Sequence, residues 1–315
     1  MIKVLLTGGS GYVGGNFLLW AEHQRSIELV SCYSSNRIDS PHSFPLDITN
    51  KMEVNDAITQ IRPDVIIHLA AVTNSNFCAN NKDAARLINI EGTRNLVSAA
   101  HKIGARLLFI STDLVHSGVI SRSTEEEVPA PSCFYGQTKF EAEKVIQKSG
   151  IDSVIVRTSL IYGLSKTKKS TFFDNLLFNL REGTQTKLFI DEYRTPIYIE
   201  NFFQILLELA TNINISGLYN ISGNERVSRY ELGLELARAL SMPSNLLVPV
   251  SVDSFEFYDK KPKDTSLDNR RIRRLIKSDI FSITESMNLI AEQILKEMQH
   301  DKRLNSEHQK RGGEP

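Results

Sequence analysis

The sequence predicts an α/β fold, a doubly wound parallel sheet followed by a smaller α+β lobe. Three observations predict it: short apolar, β-branched runs alternate with stretches of helical spacing, a glycine-rich turn separates the first run from the first helix, and the alternation loosens after Gly163. Runs of this kind read as strands buried on both faces, and strand-helix alternation implies right-handed crossovers between parallel strands.

The elements follow in order. The strands are IKVLLTG (2–8), ELVSCY (28–33), DVIIHLAA (64–71), RLLFIST (106–112) and SVIVRTSLIYG (153–163), with helices at about 12–24, 51–60, 80–102 and 136–149 between them. Beyond Gly163 come a basic loop, a helical FFDNLLFNLREG, a short KLFID strand, a helix at about 200–213, a GLYNISG strand, a helix at 230–242 and an apolar LLVPVS. This divides the chain into a first domain over 1–165, to which 188–223 returns, and a second lobe over 166–300. Residues 301–315 have no apolar period and read as a disordered tail.

Composition narrows the function. The 315 residues are 41% hydrophobic and 23% charged, enough for a sizeable core. With 37 Lys and Arg against 37 Asp and Glu, no net field recruits nucleic acid or an anionic membrane. No apolar run is long enough for a signal-peptide core or a membrane span. The three cysteines, Cys32, Cys78 and Cys133, form neither a disulfide framework nor a zinc-ligand spacing, so a reducing, cytoplasmic setting and no metal are expected.

TGGSGYVGG places Gly8, Gly11 and Gly14 as G-x-x-G-x-x-G between strand and helix. Glycine is needed where the turn reaches positive φ, where backbone approaches a pyrophosphate, and where the helix packs closely on the sheet. The helix start, with Tyr12 and Val13, then offers free N–H groups to the phosphates, the arrangement of a Rossmann dinucleotide site. After the second strand the chain reads Tyr33-Ser34-Ser35-Asn36-Arg37, with the first carboxylate only at Asp39. Ser34 and Arg37 suit the 2′-phosphate of NADPH better than the bare ribose of NADH.

Two segments match Y-x-x-x-K, Tyr135 to Lys139 and Tyr162 to Lys166. The first opens a helix, where i and i+4 share a face and a phenol and an ammonium point together; the second runs into a basic loop. A nearby Lys139 ammonium is expected to lower the Tyr135 pKa and ready it for proton exchange with a carbonyl. RLLFIST supplies Ser111 and Thr112 at the sheet edge where open α/β sheets bind ligands. His68 reads as a hydrogen-bonded core histidine, and Lys166, Lys168 and Lys169 as a solvated loop.

TGGSGYVGG, LDIT, HLAA (68–71), INIEGTRNL, ISTD (110–113), YGQTK (135–139) and VIVRTSLIYG (154–163) occur in the order found in extended short-chain dehydrogenases/reductases, which this sequence resembles. The resemblance implies Thr112, Tyr135 and Lys139 as catalytic residues. It implies further cofactor contacts from Asp47 and Ile48, from Leu69, Ala70 and Ala71, and from Asn89 and Ser111, with Lys139 also holding the nicotinamide ribose. Within that family ISTDLVHSG, IDEYRTPIYIENF and GLYNISGNERVSRYELG look most like the dTDP-4-dehydrorhamnose reductase group. This implies an NADPH-dependent reductase of a nucleotide-linked 4-keto-6-deoxy sugar, in a form compatible with a homodimer.

The alternatives are a nucleotide-sugar epimerase or dehydratase, since Asp113 stands beside the catalytic hydroxyl, and a non-catalytic NADP-binding regulatory subunit like the methionine adenosyltransferase β subunit. Two departures bear on the substrate: His116 stands where relatives often have an aromatic residue, and DEYRTP replaces a more glycine-containing stretch.

Overall fold

The structure is a computed structural model that describes residues 1–38, 40–167, 169–257 and 261–311, with side chains to Glu297. Asp39, Lys168 and the last four residues of the expected tail lie outside the described residues.

The central sheet contains β1 (Ile2–Thr7), β2 (Ile27–Tyr33), β3 (Ser43–Pro45), β4 (Val65–His68), β5 (Arg106–Thr112), β6 (Ser153–Thr158) and a later strand, Gly217–Ile221. All seven are parallel, in the order 3-2-1-4-5-6 with the later strand beyond β6. The period of two explains how one sheet builds two cores. On β1, Val4 and Leu6 face one cluster and Leu5 the other; on β4, Val65 and Ile67 oppose Ile66; on β6, Val154 and Val156 oppose Ile155.

One face carries α1 (Tyr12–Ala21). The other carries α2 (Lys51–Ile61) and two helices described next. The helix expected over 80–102 is divided into α3 (Ser75–Asn80), α4 (Lys82–Arg86), a π-turn at Leu87–Glu91 and α5 (Gly92–Ile103). The π-turn carries Asn89 into the interior, and Gly92 allows close packing, since a Cβ there would lie 2.7 Å from Ile48 Cδ1. The next helix, α6 (Phe134–Ser149), begins two residues earlier than expected because Cys133 Sγ accepts a hydrogen bond from the Gly136 N–H at 3.4 Å.

The expected fifth strand breaks at Ser159 and Leu160 into β6 and β7 (Ile161–Tyr162). The second lobe follows with α7 (Phe172–Arg181), β8 (Thr186–Phe189), β9 (Tyr193–Arg194), β10 (Ile197–Tyr198) and α8 (Ile199–Thr211). The later strand of the central sheet, Gly217–Ile221, is β11; then come β12 (Val227–Ser228), α9 (Arg229–Ala239), β13 (Leu247–Val250), α10 (Arg270–Arg273) and α11 (Ile283–Arg311). Among the described residues these extra strands pair off, β7 with β10, β9 with β12 and β8 with β13. α11 continues to Arg311, so the backbone is helical through most of the stretch read from sequence as a disordered tail. Among the described residues no helix is long and apolar enough to cross a membrane.

Candidate active site

Strand order reverses between β1 and β4, and ligand crevices of doubly wound sheets open at the carboxyl ends of the strands flanking such a point. The turn after β1 lies there. Gly8 has φ +76, and a Cβ on it would lie 2.7 Å from the Ala70 nitrogen; a Cβ on Gly14 would lie 2.3 Å from the Gly8 carbonyl oxygen. The N-cap of α1 is Gly11, with no capping side chain and no acidic residue in the first turn. Open N–H groups, a positive dipole end and a cradle that side chains would fill fit the pyrophosphate of a dinucleotide.

Neighbouring residues brace this cradle. The Tyr12 hydroxyl donates to the Gly163 carbonyl at 3.1 Å, and Val13 packs partly buried on the core. Asn16 Oδ1 accepts from the Lys166 N–H at 2.9 Å, which lays the basic loop over α1. Thr7 Oγ1 accepts from the Ala70 N–H at 3.2 Å and lies 2.8 Å from His68 Nδ1. His68 Nε2 lies 3.0 Å from Thr93 Oγ1, whose own proton goes to the Asn89 carbonyl at 2.7 Å, so the imidazole carries its proton on Nε2. Burial, aided by the Lys139 charge, brings the His68 pKa down to about 3. It is a neutral strut between strand ends, with Leu69, Ala70 and Ala71 partly buried beyond it.

Ser34 and Arg37 are exposed beyond β2. Asp47 is exposed too, and its Oδ1 accepts from Thr49 N–H at 2.9 Å and Thr49 Oγ1 at 2.8 Å. Ile48 is buried against Gly92. Asn89 and Ser111 have protein partners too. Asn89 accepts from the Val72 N–H and donates to the Val72 carbonyl and to Thr138, all within 3.0 Å, stapling the chain after β4 to α6. Ser111 donates to Glu143 Oε1 at 2.5 Å.

Thr112, Tyr135 and Lys139 come together at the ends of β5 and α6. Thr112 lies beside the Tyr135 hydroxyl, close enough to lower its pKa, and its Oγ1 caps the turn Asp113–Val115 through the Leu114 N–H at 3.2 Å. Lys139 is buried with its ammonium 4.0 Å from the centre of the Phe109 ring. Burial lowers its pKa to about 7, against the opposing pull of Glu143. The expected lowering of the Tyr135 pKa is not what the structure gives. Burial first, and then the Asp113 charge, push the phenol upward, and the neighbouring Thr112 hydroxyl offsets only part of this. A lysine that itself sheds its proton near neutrality is a weak stabiliser of a phenolate. Tyr135 is therefore held as an acid.

Sequence reading missed the charged groups beneath this trio. Glu143 forms a bidentate pair with Arg157 at 2.7 and 3.1 Å, with both side chains buried. Its signal was the spacing of four from Lys139 on the α6 face. Asp113, noted only as an acidic neighbour, accepts from Thr112, Ser159, Thr265 and Arg194. Arg194 also pairs with Glu192 at 3.0 Å, and Arg229 and Lys261 add their charge there. Although burial alone would raise it, these cations hold the Glu192 pKa down to about 2. His116 is buried, and burial lowers its pKa to about 4.

Residues 2–296 match the RmlD substrate binding domain family. The chain is 28% identical over 282 residues to the methionine adenosyltransferase 2 subunit beta of Rattus norvegicus, covering 87% of this chain and 82% of that one. It is 26% identical over 285 residues to the dTDP-4-dehydrorhamnose reductase of Aggregatibacter actinomycetemcomitans, covering 87% and 93%. The fold matches that of a dTDP-4-dehydrorhamnose reductase from Bacillus anthracis, solved in complex with NADP, with a TM-score of 0.81 at 26% identity over 92% of this chain and 98% of that one. The chain belongs to the RmlD substrate binding domain family, and its fold is that of NAD(P)-dependent oxidoreductases of the extended short-chain dehydrogenase/reductase type.

Proposed function

We propose that the protein is an NADPH-dependent reductase of a nucleotide-linked 4-keto-6-deoxy sugar. The observation that carries this reading is the Thr112 hydroxyl beside a buried Tyr135 phenol that its surroundings keep protonated, one helical turn from Lys139. A ketone reduction needs an acid at the carbonyl oxygen, and a phenol with a raised pKa holds its proton until charge develops there. The nicotinamide supplies the hydride when bound. Thr112 orients the carbonyl oxygen, Tyr135 protonates it, and Lys139, one turn along the helix, binds the nicotinamide ribose.

Gly8, Gly11 and Gly14 hold the pyrophosphate, and Arg37, exposed beyond β2, selects the 2′-phosphate. We further propose a cytoplasmic enzyme with no nucleic-acid or membrane partner. The test is oxidation of NADPH by a dTDP-4-keto-6-deoxyhexose generated in situ, with the product identified by mass.

The similarity to a methionine adenosyltransferase subunit favours a second reading, an NADP-binding regulatory subunit that contacts a partner enzyme. It predicts stoichiometric capture of a methionine adenosyltransferase with no ketone reduced. The epimerase or dehydratase reading predicts tightly held NAD and no net oxidation of cofactor; the engagement of Asp113 by Arg194, Ser159 and Thr265 weighs against Asp113 as a free acid.

A further inference from the structure

Arg194 lies on β9 in the second lobe, yet its guanidinium reaches the turn that follows β5. Its NH1 donates to Asp113 Oδ2 at 2.8 Å and also meets Thr265 Oγ1, while NH2 donates to Glu192 at 3.0 Å. The other Asp113 oxygen accepts from Thr112 Oγ1 at 3.2 Å, and Thr112 in turn lies beside the Tyr135 hydroxyl. A continuous polar path therefore runs from the second lobe to the phenol, every member of it buried.

A cleft of about 550 Å³ lies next along the chain from this path. One wall is Ser117–Val119, the chain leaving the Asp113 turn, and another includes Phe257 and Lys261. Lys261 pairs with Glu192 at 3.0 Å, and the Tyr193 carbonyl accepts from the Thr265 N–H at 3.2 Å. The chain leaving Asp113 lines the cleft directly, and the Arg194 strand is tied to it through the Glu192–Lys261 pair.

We propose that Arg194 is a positioning residue of the reaction centre: by clamping Asp113 it fixes the Thr112 hydroxyl against the Tyr135 phenol, and it makes that geometry depend on the second lobe. The inference rests on the reading of Thr112 and Tyr135 as the reacting pair. Without Arg194, Asp113 keeps only hydroxyl partners in a buried setting. It then draws the Thr112 hydroxyl toward itself or takes up a proton, and in either case the contact with Tyr135 changes. Glu192 keeps Arg229 and Lys261, so the second lobe retains its own charge balance. A planar fork that engages two carboxylates at once is a task a lysine cannot reproduce.

The test compares Arg194→Met and Arg194→Lys with wild type, using Arg270→Met as a control on an exposed arginine. The first readout needs no substrate: the NMR signal of ¹³Cζ-tyrosine at Tyr135, assigned with Tyr135→Phe. The second is kcat and KM with the keto sugar, since displacing a reacting group by about 1 Å costs about 10²-fold. Arg194→Met is expected to move the Tyr135 signal and lower kcat by about 10²-fold, with KM for NADPH within about twofold. Arg194→Lys is expected to move the signal less and lose about tenfold in kcat, and it decides the matter if the methionine variant does not fold. An unmoved Tyr135 signal in a folded Arg194 variant would overturn the proposal, as would a fall in melting temperature alone. If wild type and Tyr135→Phe reduce the keto sugar equally, the functional reading fails, and the NMR signal still decides the positioning.

Discussion

Glu143 on α6 and Arg157 on β6 meet as a buried bidentate pair, and Glu143 at the same time accepts a 2.5 Å hydrogen bond from Ser111 on β5. One side chain thereby binds the helix carrying Tyr135 and Lys139 to the strand carrying Thr112. In Glu143→Ala the Arg157 charge stays buried without its partner, a loss of about 3–5 kcal/mol in stability. Urea denaturation of the two proteins measures it, and a loss under about 1 kcal/mol would place the pair among weak surface-like bridges.

Gly14→Ala introduces a Cβ 2.3 Å from the Gly8 carbonyl oxygen, and backbone on both sides must move. The pyrophosphate cradle is displaced, and affinity for NADPH is expected to fall at least about tenfold, equivalent to about 1.4 kcal/mol. Titration of NADPH fluorescence checks this; unchanged binding would remove the glycine turn from the cofactor site.

Lys139 gives the protein a pH-dependent stability. Burial lowers its folded pKa to about 7, whereas the unfolded chain keeps the proton to about 10.5. Between these values the unfolded state binds more protons, so stability rises with pH across that window and is flat in this contribution below it. Relative to Lys139→Met, wild type is expected to gain stability between about pH 7 and about pH 10. Denaturation midpoints of both proteins across the window test the sign, and parallel curves would show that Lys139 titrates normally.

The parts of this account that were legible in sequence are those whose chemistry is local. The glycine turn is contained within 8–14, and Tyr135 and Lys139 are placed on one face by helical spacing alone. The alternation of Val4, Leu5 and Leu6 between two cores is the period of a strand written in apolar residues. What escaped was non-local. Arg194 meets Asp113 across 81 residues, from a two-residue strand too short for any periodic signal. Asn89 is turned inward by a π-turn whose residues carry an ordinary helical pattern. The Tyr135 pKa moves opposite to the direction expected from sequence because desolvation, absent from sequence, dominates and the Asp113 charge adds to it.

Arg37→Ala should narrow the preference for NADPH over NADH, since a guanidinium that pairs with the 2′-phosphate has nothing to grip on NADH. The ratio of kcat/KM for the two cofactors is expected to fall about tenfold or more, and an unchanged ratio would exclude Arg37 from the selection.

Tyr135 as proton donor is the central claim, and the most direct measurement is NADPH oxidation with the dTDP-4-keto-6-deoxyhexose by wild type and Tyr135→Phe at matched cofactor occupancy. The account predicts oxidation that requires the keto sugar, with kcat lower by about 10²–10⁴-fold in the variant and NADPH affinity unchanged. Equal turnover by the two proteins, or NADPH bound by wild type with no sugar reduced, would contradict it.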